Sequence, residues 1–241
     1  MIGAVRWIGH AGLALDRPAG APDVERLDRA LRLGLDRLEV DVAVCASGEL
    51  VLVHDTVLPA GAVVELATLA ALRCHVPGLL TLDEALEHLG GRMPLLLDVK
   101  GASAQPLGDS LRTRGDVDAL AVCTDDLMSL VVLRHRAPRV ARWRTLPATG
   151  VGRGSGRRRI VAAALRSTIP SRLGPLAAEV AAVAVCVDRW AVTSALCRRA
   201  HGLGLLVDAW TVNDVRTLRR VAECGVDLVT TDLPEALAGR A

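Results

Sequence analysis

Eight short apolar runs are spaced along this chain, and the intervals between them carry a different period. The runs are Ala4 to Ile8, Arg37 to Val44, Pro94 to Val99, Ala119 to Cys123, Val140 to Leu146, Ala181 to Val187, Leu205 to Thr211 and Val226 to Thr230. Between them apolar residues recur three and four apart, over Val24 to Leu33, Leu82 to Leu89, Leu127 to Arg136, Ile160 to Arg166, Val192 to Ala200, Val215 to Ala222 and Pro234 to Ala238, which is the helical spacing. Strand and helix in eightfold alternation predict an α/β fold, a (β/α)8 TIM barrel, with an open doubly wound sheet as the alternative. A chain of 241 residues that is 51% hydrophobic suits one sizeable core, so a single domain over residues 1–241 is expected.

Two stretches break the rhythm. Glu49 to Val53 reads as an extra strand joined to the second by Ala46-Ser47-Gly48, a small hairpin insertion after the second strand. Thr149 to Arg159, TGVGRGSGRRR, reads as a solvated Gly/Arg-rich loop rather than a phosphate clamp.

Composition removes several functions. A formal charge of +2 without a long basic run argues against a polyanion partner. Phe and Tyr are absent and the aromatics are Trp7, Trp143, Trp190 and Trp210, too few for a stacking platform, so no nucleic acid is expected. The six cysteines show no zinc spacing and read as reduced, mostly buried residues. No apolar stretch is long enough to span a membrane and no signal segment precedes the first run, so a cytoplasmic location is expected.

The chemistry concentrates in RLEVDVAVCASGELVLVHD, Arg37 to Asp55. Residues two apart on a strand share a face, so Glu39 and Asp41 point one way and Leu38, Val40, Val42 and Val44 the other. The third run repeats the phasing with Asp98 and Lys100, the only lysine of the chain. Ionised groups buried in such strands need partners. Either a hard, oxygen-seeking divalent cation, Mg2+ or Ca2+, satisfies the three carboxylates, or Lys100 and Arg37 neutralise them in an internal ion-pair network. His10, directly after the first run, and His54, at the end of the hairpin strand, lie on the side where the carboxylates point. Two histidines beside a metal are what phosphodiester cleavage requires, one as base for the attacking hydroxyl and one as acid for the leaving alkoxide. His75, His88, His135 and His201 fall in helical or loop patterns and read as surface residues.

His10-Ala11-Gly12, Glu39-Val40-Asp41, His54-Asp55, Asp98-Val99-Lys100 and Trp210-Thr211-Val212-Asn213 occur in an order that resembles the glycerophosphodiester phosphodiesterase family, whose pattern runs H-R-G, E-x-D, H-D, E-x-K and W-T-x-N. Leu80 to Ala85 and Gly225 to Pro234 are weaker echoes, so the resemblance spans nearly the whole chain. It implies that Glu39, Asp41 and Asp98 hold a divalent cation, that His10 and His54 are the general acid and base, and that Lys100 stabilises charge on the phosphate. It further implies that Trp210 contacts the glycerol moiety of a small-molecule glycerophosphodiester, with glycerol 3-phosphate and an alcohol as products.

The sequence also departs from that pattern. The arginine of H-R-G is Ala11, the family's proline-glutamate-asparagine segment is Ala21-Pro22-Asp23-Val24, and E-x-K is D-x-K. Arg142 and Arg144 share a strand face, and Arg144 is the candidate for a substituting guanidinium on the substrate. Retention of both histidines and all three acids favours an enzyme. Loss of the arginine leaves open a catalytically degenerate barrel that binds a phosphorylated ligand or a protein partner. The cyclising phospholipase D-like toxins, which resemble this family, fit less well, since secretion features and disulfide spacing are missing.

Overall fold

The structure is a computed structural model and describes residues 5–58, 61–146 and 156–238. Its fold class is the (β/α)8 barrel with a hairpin after the second strand. The chain divides into two compact units, Ile8–Ala141 and Met1–Trp7 with Arg142–Ala241. No helix among the described residues is long and apolar enough to cross a membrane.

The first of these units holds the end of β1 (Arg6–Gly9), then α1 (Val24–Leu33), β2 (Arg37–Val44), β3 (Leu50–Leu52), α2 (Leu69–His75), α3 (Leu82–Leu89), β4 (Leu95–Val99), α4 (Ala104–Thr113), β5 (Leu120–Thr124) and α5 (Leu127–Arg136). β2 pairs in parallel with β1 (Gly9 opposite Leu38) and with β4 (Asp41 opposite Asp98), and β4 pairs in parallel with β5 (Asp98 opposite Cys123). β3 returns antiparallel on β2, with Val42 opposite Leu52 and Val44 opposite Leu50. Its turn closes where Gly48, at φ 96, donates to the Cys45 carbonyl.

Helix starts follow local chemistry. Asp23 accepts from Arg26 N–H to begin α1, Thr81 and Glu84 form a reciprocal capping box at α3, and Asp126 accepts from Met128 and Ser129 N–H at α5. α4 lies outside the predicted helices, and it contains Pro106 and Gly108. Pro106 lies in the first turn, where its missing N–H costs nothing. At Gly108 a Cβ would stand 2.8 Å from Arg136 Cβ of α5, so the glycine is a packing contact. The seven-residue α2 also escaped the periodicity.

The other unit runs β6 (Ala141–Thr145), α6 (Gly156–Glu179), β7 (Ala184–Asp188), α7 (Ser194–His201), β8 (Leu206–Trp210), α8 (Val215–Cys224), β9 (Leu228–Thr231) and α9 (Pro234–Ala238). Its strands pair in parallel in that order. Val185, Val187, Val207, Ala209 and Val229 pack with Leu173 of α6, Leu196 of α7 and Leu218 of α8 in one apolar core. α6 corrects the expected Ile160–Arg166 helix, being longer at both ends and containing Pro170 and Pro175. Of the Gly/Arg-rich loop, residues 149–155 lie outside the described residues and Gly156 to Arg159 open α6. Cys45, Cys123, Cys186 and Cys197 are buried and Cys74 is exposed, and all six cysteines are free thiols.

Candidate active site

Alternation along β2 separates its two chemistries. Leu38, Val40 and Val42 are fully buried on one side; Glu39 and Asp41, on the other, are also buried, at 5% and 4% exposure. Because Asp41 stands opposite Asp98 in the parallel ladder, both carboxylates emerge side by side. Each of Glu39, Asp41 and Asp98 offers an oxygen, and these atoms lie within 4.8 Å of one another. The shorter Asp98, in place of the family's glutamate, thus belongs to the cluster.

Lys100 is the cationic partner of this group. Its Nζ lies 2.7 Å from Asp41 Oδ1 and 2.6 Å from Asp98 Oδ2. Arg37, at the N-terminal end of β2, donates instead to the carbonyls of Leu95 and Ala119. Half of the ion-pair alternative is therefore present, yet Asp41 Oδ2 is buried with no hydrogen-bond partner among the described residues. Glu39 accepts the Ala11 N–H at 2.6 Å and has His10 Nε2 at 4.0 Å. Burial, with the adjacent Asp41 charge adding to it, pushes Glu39 up to about 8. The same two causes raise Asp98 despite Lys100. Burial works against the Lys100 ammonium, but the Asp41 and Asp98 charges outweigh it and hold its pKa above the usual lysine range. Three carboxylates facing one ammonium leave excess negative charge in a buried place. An orphan oxygen and an all-oxygen donor set fit a hard divalent cation.

Main-chain turns carry the histidines. His10 precedes Ala11–Leu13, which coil left-handed at φ 47, 62 and 57, and this turn delivers the Ala11 N–H to Glu39. At Gly12 a Cβ would meet Pro22 at 2.6 Å. The Ala21-to-Val24 stretch, which lacks the family's polar residues, thus supports this turn through Pro22 and caps α1 through Asp23. His54 and Asp55 both donate main-chain N–H groups to the Ala19 carbonyl, and a Cβ at Gly20 would stand 2.7 Å from His54 Cβ. Asp55 Oδ1 lies 2.9 Å from His54 Nδ1. The two imidazoles come together edge to face, 6.3 Å between centroids and 82° between planes.

Trp210 and Arg144 belong to the other unit. Trp210 ends β8 opposite Asp188, and its Nε1 is buried with no hydrogen-bond partner. Asn213 of the same motif holds Asp232 and Thr231 after β9. Arg144 pairs with Val185, and residues paired in a parallel ladder point to one side. It therefore shares the face of Val185 and Leu146, which is covered by helices. Its Nε and Nη1 are buried without partners. Arg142 on the same face donates to the Val180 carbonyl. The parity of this pair was legible, but the side it faces depends on a register that no local pattern encodes.

The sequence pattern of the glycerophosphoryl diester phosphodiesterase family matches residues 108–236. The chain belongs to this family. It is thereby an enzyme of the phosphoric diester hydrolase class. No curated protein matches it in sequence. Among solved structures it is similar to an Oleispira antarctica phosphodiesterase in complex with the product sn-glycerol-3-phosphate, at 19% identity and TM-score 0.78 over 98% of this chain and 96% of that one. A glycerophosphodiester phosphodiesterase from Agrobacterium tumefaciens aligns at 20% identity and TM-score 0.76, covering 98% and 100% of the two chains. One from Thermotoga maritima aligns at 19% and 0.72, covering 97% and 96%. At such identities the likeness is one of fold.

Proposed function

We propose that this chain hydrolyses glycerophosphodiesters to glycerol 3-phosphate and an alcohol, using a divalent cation, Mg2+ or Ca2+, and a histidine pair. The observation that carries the reading is the Glu39–Asp41–Asp98 cluster, two of its carboxylates buried and Asp98 half-buried, with an Asp41 oxygen unpartnered among the described residues, in the same compact unit as two imidazoles 6.3 Å apart. Glu39, Asp41 and Asp98 hold the cation, which when bound polarises the phosphoryl group. One histidine accepts the proton of the attacking hydroxyl and the other protonates the departing alkoxide as the phosphorus–oxygen bond to the alcohol breaks. With Nδ1 engaged by Asp55, His54 exchanges its proton at Nε2. Lys100 brings a fixed positive charge to the phosphate, the role left to it when position 11 carries no arginine. Trp210 is assigned to the glycerol moiety by the motif it occupies.

The test is release of glycerol 3-phosphate from a panel of glycerophosphodiesters with Mg2+, with Ca2+ and with chelator, for the wild type and His54→Ala. Cation-dependent turnover that the substitution abolishes supports the reading. A chain that binds the cation but releases nothing is instead a binding protein built on the family's fold.

A further inference from the structure

We infer that Glu65 is a positioning residue for the proposed reaction, holding from the arm after His54 the turn that aims Lys100 at Asp41 and Asp98. The inference rests on the role given to Lys100 above. Lys100 is the last residue that the sheet holds, its N–H donating to the Val42 carbonyl. Beyond it the chain must reverse sharply to enter α4. Gly101 does this at φ 52, and Ser103 N–H closes the turn on the Lys100 carbonyl.

Two side chains secure that reversal, one from the turn itself and one from a distant segment. Ser103, fully buried, accepts the Val44 N–H through its hydroxyl at 2.8 Å, tying the turn to the end of β2. Glu65 Oε1 accepts the Ala102 N–H at 2.8 Å. The approach is so close that a Cβ on Gly101 would lie 2.0 Å from the same oxygen. The arm bearing Glu65 is itself fastened: Val64 N–H donates to the Thr56 carbonyl, Ala46 N–H to the Ala67 carbonyl and Leu69 N–H to Ser47 Oγ. Thr56 is two residues from His54. One short arm therefore joins the backbone that carries an imidazole to the backbone that carries the ammonium. A supporting hydrogen bond of this kind fixes a charged group where the reaction needs it, and a misplacement of about 1 Å can cost about 10²-fold in rate.

Steady-state kinetics of the cation-loaded enzyme on glycerophosphodiesters test the assignment. Glu65→Ala is expected to lower kcat about tenfold with KM little changed, and Glu65→Gln, which keeps the accepting oxygen, to restore most of it. In a Lys100→Ala background Glu65→Ala should add no further loss, because it acts through Lys100. Amide exchange at Ala102 should quicken in Glu65→Ala and not in Glu65→Gln. Glu65→Ala with wild-type kcat, a Gln variant as slow as the Ala variant, or a full additional loss in the Lys100→Ala background would each overturn the inference while leaving wild-type turnover intact. Absence of turnover by the wild type would strike the proposed function itself, while the exchange of Ala102 would still report whether Glu65 holds the turn.

Discussion

The two compact units use the same strand-and-helix alternation for opposite purposes. In Ile8–Ala141 the polar residues of β2 and β4 fall on the face away from the helix-covered aliphatics, and three carboxylates, a lysine and two histidines gather there. In the unit beginning at Arg142 the polar side chains are mostly spent on structure. Thr230 Oγ1 donates to both Asp208 oxygens at 3.0 Å, Asn213 bonds Asp232, and Arg144 stands on the apolar side of β6. The family is recognised from residues 108–236, which lie mostly in this second unit, whereas the proposed acid–base and cation residues precede them. The family pattern thus falls mainly on the packing of this second unit, while the proposed chemistry stands on turns held by main-chain contacts at Ala11 and Ala19.

The sharpest way to break this contrast is at the histidines. His10→Ala and His54→Ala should each lower turnover by about 10²-fold or more without changing the melting temperature appreciably, measured by glycerol 3-phosphate release and thermal denaturation. Residual activity near wild type would move the chemistry out of the first unit.

The next effect is on stability against pH. Glu39 is pushed up to about 8 from an ordinary 4.5 by burial and by Asp41. Between those values the folded chain holds a proton that the unfolded chain has released, so without cation stability falls as pH rises across that window. A bound cation favours the carboxylate and should close the gap. Melting curves at pH 5 and pH 8, with chelator and with Mg2+, check the sign; a chelated protein that melts higher at pH 8 would refute it.

Thr230→Val sharpens the other side of the comparison. Leaving the Asp208 carboxylate without that donor should cost about 1–3 kcal/mol, read by urea denaturation, with cation affinity by calorimetry unchanged. Smallest is Arg144→Met. Exchanging a buried guanidinium with unpartnered donors for an apolar side chain should be neutral or stabilising by about 1 kcal/mol. A tenfold rise in KM would instead return Arg144 to the substrate.

Much of this was readable in the sequence for identifiable reasons. Strand positions followed from apolar runs, and α1, α3 and α5 from helical spacing, to which the structure adds the caps at Asp23, Thr81 and Asp126. The acidic face followed from strand parity alone. What escaped was non-local or disguised. Gly108 of α4 has its reason in a contact with Arg136, and α6 runs through Pro170 and Pro175, a residue type that ordinarily breaks a helix. The side on which Arg144 stands depends on pairing with β7, and Glu65 reaches across 37 residues to Ala102.

The left-handed backbone at Ala11–Leu13 and at Ala19 and Gly20, φ 56 and 58, has a consequence for how such a chain can evolve. Glu39 is met there by the amide of Ala11, and His54 by the carbonyl of Ala19. Neither contact uses the side chain of position 11 or 19, so a lineage can exchange those residues for others that accept a left-handed backbone without moving an imidazole. Gly12 and Gly20 have no such licence, pressed against Pro22 and His54 at distances that exclude any larger residue. Selection on this segment should therefore act through the two residues with no side chain at all.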